Sequence, residues 1–295
     1  MKISTVYTKG NREINEDAIV VDTDQNIFAV IDGATGLGGL PGSLASGIVK
    51  EYLEKNTSIP LIEKVKEGNK QLLAAAEKNI GTSLDQIPKY KRSSCGLAAI
   101  QIHLDEVGKV NSLDYVSAGD CMLFLEFKDG SIRQITYDHI DRLDTVAIQL
   151  MQNTWEKVLK EKSIDSFSPE QLKEKQKELR GNVQHILQEN RNKLNTIDGY
   201  GIIDGDHEAM KFFEYGRIPL ISVNKILLLS DGLKIHTERT STKQETWLTT
   251  AQSAFKSGLT ELEKRIIKDE ESDPACFYFP RLKQHDDKSG ILIVL

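Results

Sequence analysis

Acidic residues recur at the ends of short apolar runs. Asn15-Glu16-Asp17 precedes AIVV, FAVI leads into Asp32-Gly33, YVSA into Gly119-Asp120, ILLLS into Asp231-Gly232, and His285-Asp286-Asp287-Lys288-Ser289 precedes ILIVL. A carboxylate at the end of a buried strand is poorly solvated, and several together raise one another's pKa unless a positive charge neutralises them. Divalent cations do this most economically. All-oxygen donors suit Mg²⁺ or Mn²⁺, whereas zinc favours His and Cys. The six histidines show no HxH or HExxH spacing. Two hard cations about 3.5–4 Å apart, bridged by a carboxylate and a hydroxide, form a device for in-line attack on phosphorus. Phosphoryl hydrolysis is therefore the leading chemistry.

Taken singly, an Asp-Gly after an apolar run is an ordinary turn, and the weight lies in five such clusters together. Arg12, three residues before Asn15, has two readings: a surface cation in a polar loop, or a planar fork that grips a phosphate oxygen pair. The glycine-rich stretch 33–42 lacks the Lys-Ser/Thr ending of a P-loop and fails the GxGxxG pattern. It reads as a tight turn leading into a helix.

The elements that must carry these residues can be read in outline. Residues 1–40 and 92–140 hold β-branched and apolar runs broken by Asp-Gly and Gly-rich turns, including a hairpin turning at Asp129-Gly130. Residues 43–56 and 59–80 have helical spacing, with Leu61, Ile62, Val65, Leu72, Leu73 and Ala76 in the second. From about 145 to 194 the chain turns to Lys, Glu, Gln and Asn with spaced apolar residues, a helical pair whose second member starts at Ser168-Pro169-Glu170-Gln171. Strands follow, then helical stretches near 243–256 and 259–270 and the final strand ILIVL. Strands and helices come in blocks, which favours an α+β layer fold with antiparallel or mixed sheets over a doubly wound parallel sheet.

Composition narrows the function. The 295 residues carry 38 Lys+Arg against 44 Asp+Glu, a net charge of -6, which disfavours nucleic acid or an anionic membrane as a charge-driven partner. With 39% hydrophobic and 28% charged residues, the chain can bury a full core as one domain, 1–295. The longest apolar runs, such as 226–229 and 291–295, are strand-sized and predict no membrane span. Three cysteines without CxxC spacing argue against a disulfide framework and point to a reducing cytoplasm. Cys121, in a strand, reads as a small buried hydrophobe.

These residues resemble the PP2C (PPM) family of metal-dependent protein serine/threonine phosphatases, particularly its bacterial branch. The matching segments run in family order: Arg12-Glu13-Ile14-Asn15-Glu16-Asp17, FAVIDGATG, SAGDCMLFL, Tyr137-Asp138-His139, LLLSDGL, and Asp286-Asp287-Lys288-Ser289. They span nearly the whole chain. The resemblance implies a four-layer α-β-β-α sandwich of two mainly antiparallel sheets, with metals at one end. It implies that Asp32 bridges two Mn²⁺ or Mg²⁺ ions, that the Gly33 carbonyl serves the first, and that Asp231 and Asp286 hold the second. Asp17 and Glu16 would bind metal directly or through water, Arg12 would hold the phosphate, and Asp120 matches the position that binds a third ion in some members.

There are departures from the pattern. Ala34 stands where many eukaryotic members carry His, Cys121 and Met122 replace the Ser and Arg of the GDSR motif, and Asp287 replaces a frequent Asn and competes with Asp286 as ligand. Where the family has a short mobile flap, this chain has the helical insertion at 145–194, read either as a helical hairpin packed on the sheet or as a cap that selects substrate. The resemblance implies a monomeric phosphatase acting on phosphoserine and phosphothreonine in proteins modified by a Ser/Thr kinase. A catalytically weak sensor binding a phosphorylated partner and a small-molecule phosphoesterase are the competing readings.

Overall fold

The computed structural model describes residues 1–160, 162–240 and 246–295. Among the described residues, ten strands form two five-stranded sheets, antiparallel throughout. They are β1 (Lys2–Thr8), β2 (Ala18–Asp22), β3 (Ile27–Ala34), β4 (Ser94–Leu104), β5 (Val110–Ala118), β6 (Met122–Phe127), β7 (Ile132–Gln134), β8 (Glu214–Pro219), β9 (Val223–Leu229) and β10 (Lys288–Val294). One sheet has the order β1-β10-β9-β6-β7 and the other β2-β3-β4-β5-β8. The chain's two ends are thereby tied together, Lys2 pairing with Val294 and Thr8 with Lys288. The predicted hairpin joins β6 to β7, and Gly130 takes the positive φ of 83° that its turn requires.

Strand periodicity divides the core into layers. In β3, Phe28 and Val30 pack between the sheets with Ile100, Leu123, Ile226, Leu228, Ile291 and Ile293. Ile27, Ala29 and Ile31 face outward onto α1 (Gly42–Glu54) and α2 (Leu61–Ile80), meeting Val49, Leu53, Val65 and Leu72. Beyond the other sheet, Phe124, Leu227, Leu229 and Leu292 pack against Trp247, Ala251, Phe255, Leu262 and Ile266. These last five lie on the helices Thr246–Ser257 and Leu259–Ser272. The expected start of the first of these near residue 243 falls outside the described residues. The result is the four-layer α-β-β-α sandwich that the family resemblance implies. Among the described residues, no helix is long and apolar enough to cross a membrane.

The insertion departs from the expected helical pair. Three helices occur, α3 (Asp141–Leu159), α4 (Pro169–Asn182) and α5 (Gln184–Asn192), beginning a few residues earlier than 145. The flanking helices Thr246–Ser257 and Leu259–Ser272 are thus α6 and α7. The break between α4 and α5 falls at Val183, where ψ is 6° and the side chain is buried in the insertion's own core. That core joins Ala147, Met151, Trp155, Leu179 and Val183 to Ala275 and Phe277, so the insertion rests on the segment between α7 and β10, not on a sheet face. The start of α4 is as predicted: Ser168 accepts from the Gln171 amide and Gln171 reaches back, a complete capping box.

Segment 273–287 leads into β10 and carries two of the candidate site carboxylates, so its anchoring matters. Glu270, at the end of α7 and 1% exposed, accepts from His285 Nδ1 at 2.8 Å and Lys288 Nζ at 3.0 Å. Burial alone would raise its pKa, but His236, His285 and Lys288 outweigh burial and hold it at about 2. Lys288 is itself buried. Glu270→Gln leaves an uncompensated buried ammonium and is expected to destabilise the fold by about 3 kcal/mol, read by urea denaturation. A loss below about 1 kcal/mol would show that the cluster is not what anchors this segment.

Candidate metal centre

The alternation that buries Phe28 and Val30 carries Asp32 to the end of the inter-sheet layer, and the row of Ile291 and Ile293 ends there in Ser289. Asp231 follows β9 through a single-turn 3₁₀ segment, and Asp120 sits in the turn between β5 and β6, which Gly119 enters with φ of 80°. Asp32, Asp120 and Asp231 each bring a carboxylate oxygen within 4.8 Å of the other two. Asp17 joins them from the start of β2, its Oδ2 accepting from Ser289 Oγ at 2.6 Å.

Charge crowding is severe. Burial first, then Asp231, Asp17 and Asp120, hold the Asp32 carboxyl well above the usual carboxylate range. Burial, with Asp231, Asp138 and Asp144, does the same to Asp120, and burial with Asp286 raises Asp231 against the opposing charge of Lys283. Asp17 is pushed up to about 8 by burial, with Asp286, Asp231 and Asp287 adding to it against the Ser289 hydrogen bond. Asp32 and Asp231 are close enough that each raises or lowers the other's titration, so the two carboxyls titrate as a pair. Hard oxygen donors converging under mutual repulsion are what a divalent-cation site requires. The donor set therefore fits Mg²⁺ or Mn²⁺.

Three sequence candidates are held by other partners. Glu16 pins the glycine-rich turn: its carboxylate accepts from the Gly42 amide at 2.9 Å and from Thr35 Oγ1, while its other oxygen meets Arg12 Nη1 at 2.6 Å. Gly33 lies so close beneath it that a Cβ would stand 2.1 Å from the Glu16 carbonyl oxygen, which only glycine allows. Asp287 spends both oxygens on backbone, accepting from the Gly10 amide at 2.7 Å and the Glu16 amide at 2.8 Å. It stitches the start of β10 to the loop that carries Glu16 and Asp17. Arg12 is exposed and oriented by Glu16. Cys121 is fully buried in the inter-sheet core with its thiol pKa raised well above normal, chiefly by burial, an inert packing residue.

Two site residues, Lys283 and Asp144, escaped the sequence reading, and Asp138 entered it only as part of a matched segment. Lys283 Nζ donates to both oxygens of Asp286, at 2.7 and 2.6 Å. Although burial opposes its charge, Asp286, Asp231 and Asp32 raise its pKa above the ordinary lysine value. It is a half-buried cation on the edge of the centre. Asp144, in the first turn of α3, is pushed up to about 7 by burial and by Asp231, against Lys283. Asp138 caps the start of that helix, its Oδ1 accepting from the Ile140 and Asp141 amides, and its Oδ2 accepts from Lys234 and Trp247. With Asp120, Asp231 and Asp286, these residues line an open cavity of about 640 Å³.

No family model and no curated protein matches the chain. Solved structures do. A bacterial serine phosphatase aligns over 100% of this chain and 97% of its own, with a TM-score of 0.54 and 18% identity. The catalytic domain of the serine/threonine phosphatase PstP, in complex with two manganese ions, covers 99% of this chain and 96% of its own, with the same score and identity. Stp1 from Staphylococcus aureus covers 100% and 94%, again at 0.54 and 18%.

The fold is that of the PP2C-type serine/threonine phosphatases.

Within this PP2C-like sandwich the carboxylates gather at one end, between the two sheets. Their pKa values set a pH test. Carboxyls with folded pKa values above their unfolded ones hold protons that the unfolded chain has released, so metal-free stability falls as pH rises from about 4 toward 8. In chelator, the melting temperature is expected to drop between pH 5.5 and 8, and Mn²⁺ at pH 8 is expected to restore it. A flat profile without metal would refute the crowding. Lys283→Met removes a competing cation and is expected to tighten Mn²⁺ binding roughly tenfold by calorimetry; unchanged affinity would show that the ammonium does not set the charge of the centre.

Proposed function

We propose that this chain is a Mg²⁺- or Mn²⁺-dependent phosphatase that removes phosphate from phosphoserine and phosphothreonine in proteins. The observation that carries the reading is the convergence of Asp32, Asp120 and Asp231 to within 4.8 Å, with Asp120 and Asp231 lining a cavity large enough for a phosphorylated side chain. The PP2C-like fold supports it. Asp17, Asp32, Asp120, Asp231 and Asp286 form one acidic group, of which Asp286, Asp231 and Asp32 act directly on the ammonium of Lys283. When ionised they leave about four negative charges, which two divalent cations match.

In this reading Asp32 would serve both ions, with Gly33 contributing backbone beside it. Asp231 and Asp286 would hold the second ion, and Asp120 would be available to a third. When bound, the ions supply Lewis-acid polarisation of the phosphoryl group and an activated water for in-line displacement. Arg12, held by Glu16 at 2.6 Å, has a guanidinium that can turn to a phosphoryl oxygen pair at low cost because its anchor lies on the same loop. Glu16 and Asp287 act by holding that loop and β10 in register, so their part is to position Asp17, Arg12 and Asp286. Ala34 offers no proton, so leaving-group protonation falls to solvent at the site. The substrate is a phosphoprotein made by a Ser/Thr kinase, and the enzyme works as a monomer in a reducing cytoplasm, as its three buried free thiols suggest.

Asp32→Asn and Asp231→Asn are each expected to lower Mn²⁺-dependent hydrolysis of p-nitrophenyl phosphate by at least about 100-fold while keeping the native circular dichroism spectrum. Turnover within about twofold of wild type in either variant would remove that residue from the metal set.

A further inference from the structure

Helix α4 turns one cationic face toward the centre. Lys173, Gln176, Lys177 and Arg180 follow at i, i+3, i+4 and i+7, which places them on a single stripe. This stripe and the segment 282–287 bound a groove of about 260 Å³ that also takes in Arg12 and reaches Asp286. Among the described residues, Lys173, Lys177 and Arg180 enter no ion pair, whereas Lys175, on another face of the same helix, meets Glu178 at 2.8 Å. The two carboxylates in the groove are already neutralised or satisfied. Asp286 is held by Lys283 at 2.6 Å and Asp287 by two backbone amides.

Arg180 supplies the second observation. Its Nε is buried without an acceptor, and burial lowers its pKa, with Arg12 and Arg191 adding to this against the opposing charges of Asp286 and Asp144. A buried donor left without an acceptor is costly unless an incoming group completes it. In a chain of net charge -6, such a concentration of unpaired cations beside the phosphoryl site is a local exception to the overall field.

We propose that this groove binds an acidic segment of the substrate, so that the preferred substrates are phosphoproteins with Asp or Glu flanking the phosphorylated residue. The inference rests on the phosphatase reading and adds the substrate class. Seven helical residues span roughly 10 Å, the length of about three residues of extended peptide. The acidic side chains therefore lie two to four positions from the phosphoresidue. The interaction is between exposed charges and weakens with salt.

Phosphothreonine peptides carrying three Glu, three Gln or three Lys at those positions, on either side, test this with Mn²⁺ in excess. Wild type is expected to give a kcat/KM for one Glu peptide about tenfold above its Gln counterpart, expressed in KM. The preference should vanish at 0.5 M NaCl and invert toward Lys in Lys173→Glu/Lys177→Glu, whose sites are exposed on the helix. A Glu-to-Gln ratio below about two in wild type, or a preference that survives the double charge reversal, overturns the proposal. Hydrolysis of p-nitrophenyl phosphate, which has no flanking chain, reports the metal chemistry separately. If nothing is turned over, the phosphatase reading fails, and fluorescence anisotropy of the Glu peptide on wild type and the double variant then decides the groove alone.

Discussion

Burying several carboxylates at one end of a β-sandwich is the constraint on which the rest of this structure depends. Each sheet supplies acids where its inward-facing rows run out, so the same alternation that builds the inter-sheet core delivers Asp17, Asp32 and Ser289 to one edge of it. Without a cation the acids repel, and burial and mutual repulsion raise their pKa values. The fold tolerates this because the surrounding backbone is held by other acids. Glu16 and Asp287 fix the loops, and Glu270 and Asp138 fix the helix ends nearest the site.

Two kinds of carboxylate therefore coexist within a few residues. Asp287 and Glu16 accept backbone amides and need no metal, while Asp32, Asp120 and Asp231 meet mainly one another. Lys283 stands between these classes as a half-buried counterion bonded to Asp286. The insertion adds opposite charge at the rim. Arg191 from α5 donates to the Thr35 carbonyl at 2.6 Å, and α4 carries its cations along the Asp286 side. An acidic pit with a basic border is an arrangement suited to drawing in a phosphorylated chain and presenting its phosphate to bound cations.

Much of this was legible in the sequence where local chemistry and periodicity agreed. The strand-end position of Asp32, Asp120 and Asp231, the α+β layer class, the α4 capping box and the Asp129-Gly130 turn follow from residue type and spacing, and the two-sheet sandwich from the family resemblance. What escaped depends on contacts between distant segments. Nothing near Asp287 in sequence reveals that Gly10 and Glu16 consume its oxygens, and Lys283 is one lysine in a polar stretch until β10 brings it beside Asp231. The helical pair became three helices because Val183 is drawn into a core shared with Phe277, a tertiary demand that helical spacing does not encode.

The central claim is that the acidic cluster is a divalent-cation site that drives phosphoester hydrolysis. The most direct measurement is a titration of chelated protein with Mn²⁺, following bound ion by calorimetry and phosphate release from a phosphothreonine peptide in parallel. The account predicts no release without metal and a rate that climbs to saturation as about two ions bind. Release that is independent of metal, or two ions bound to a folded protein that releases nothing, would contradict it.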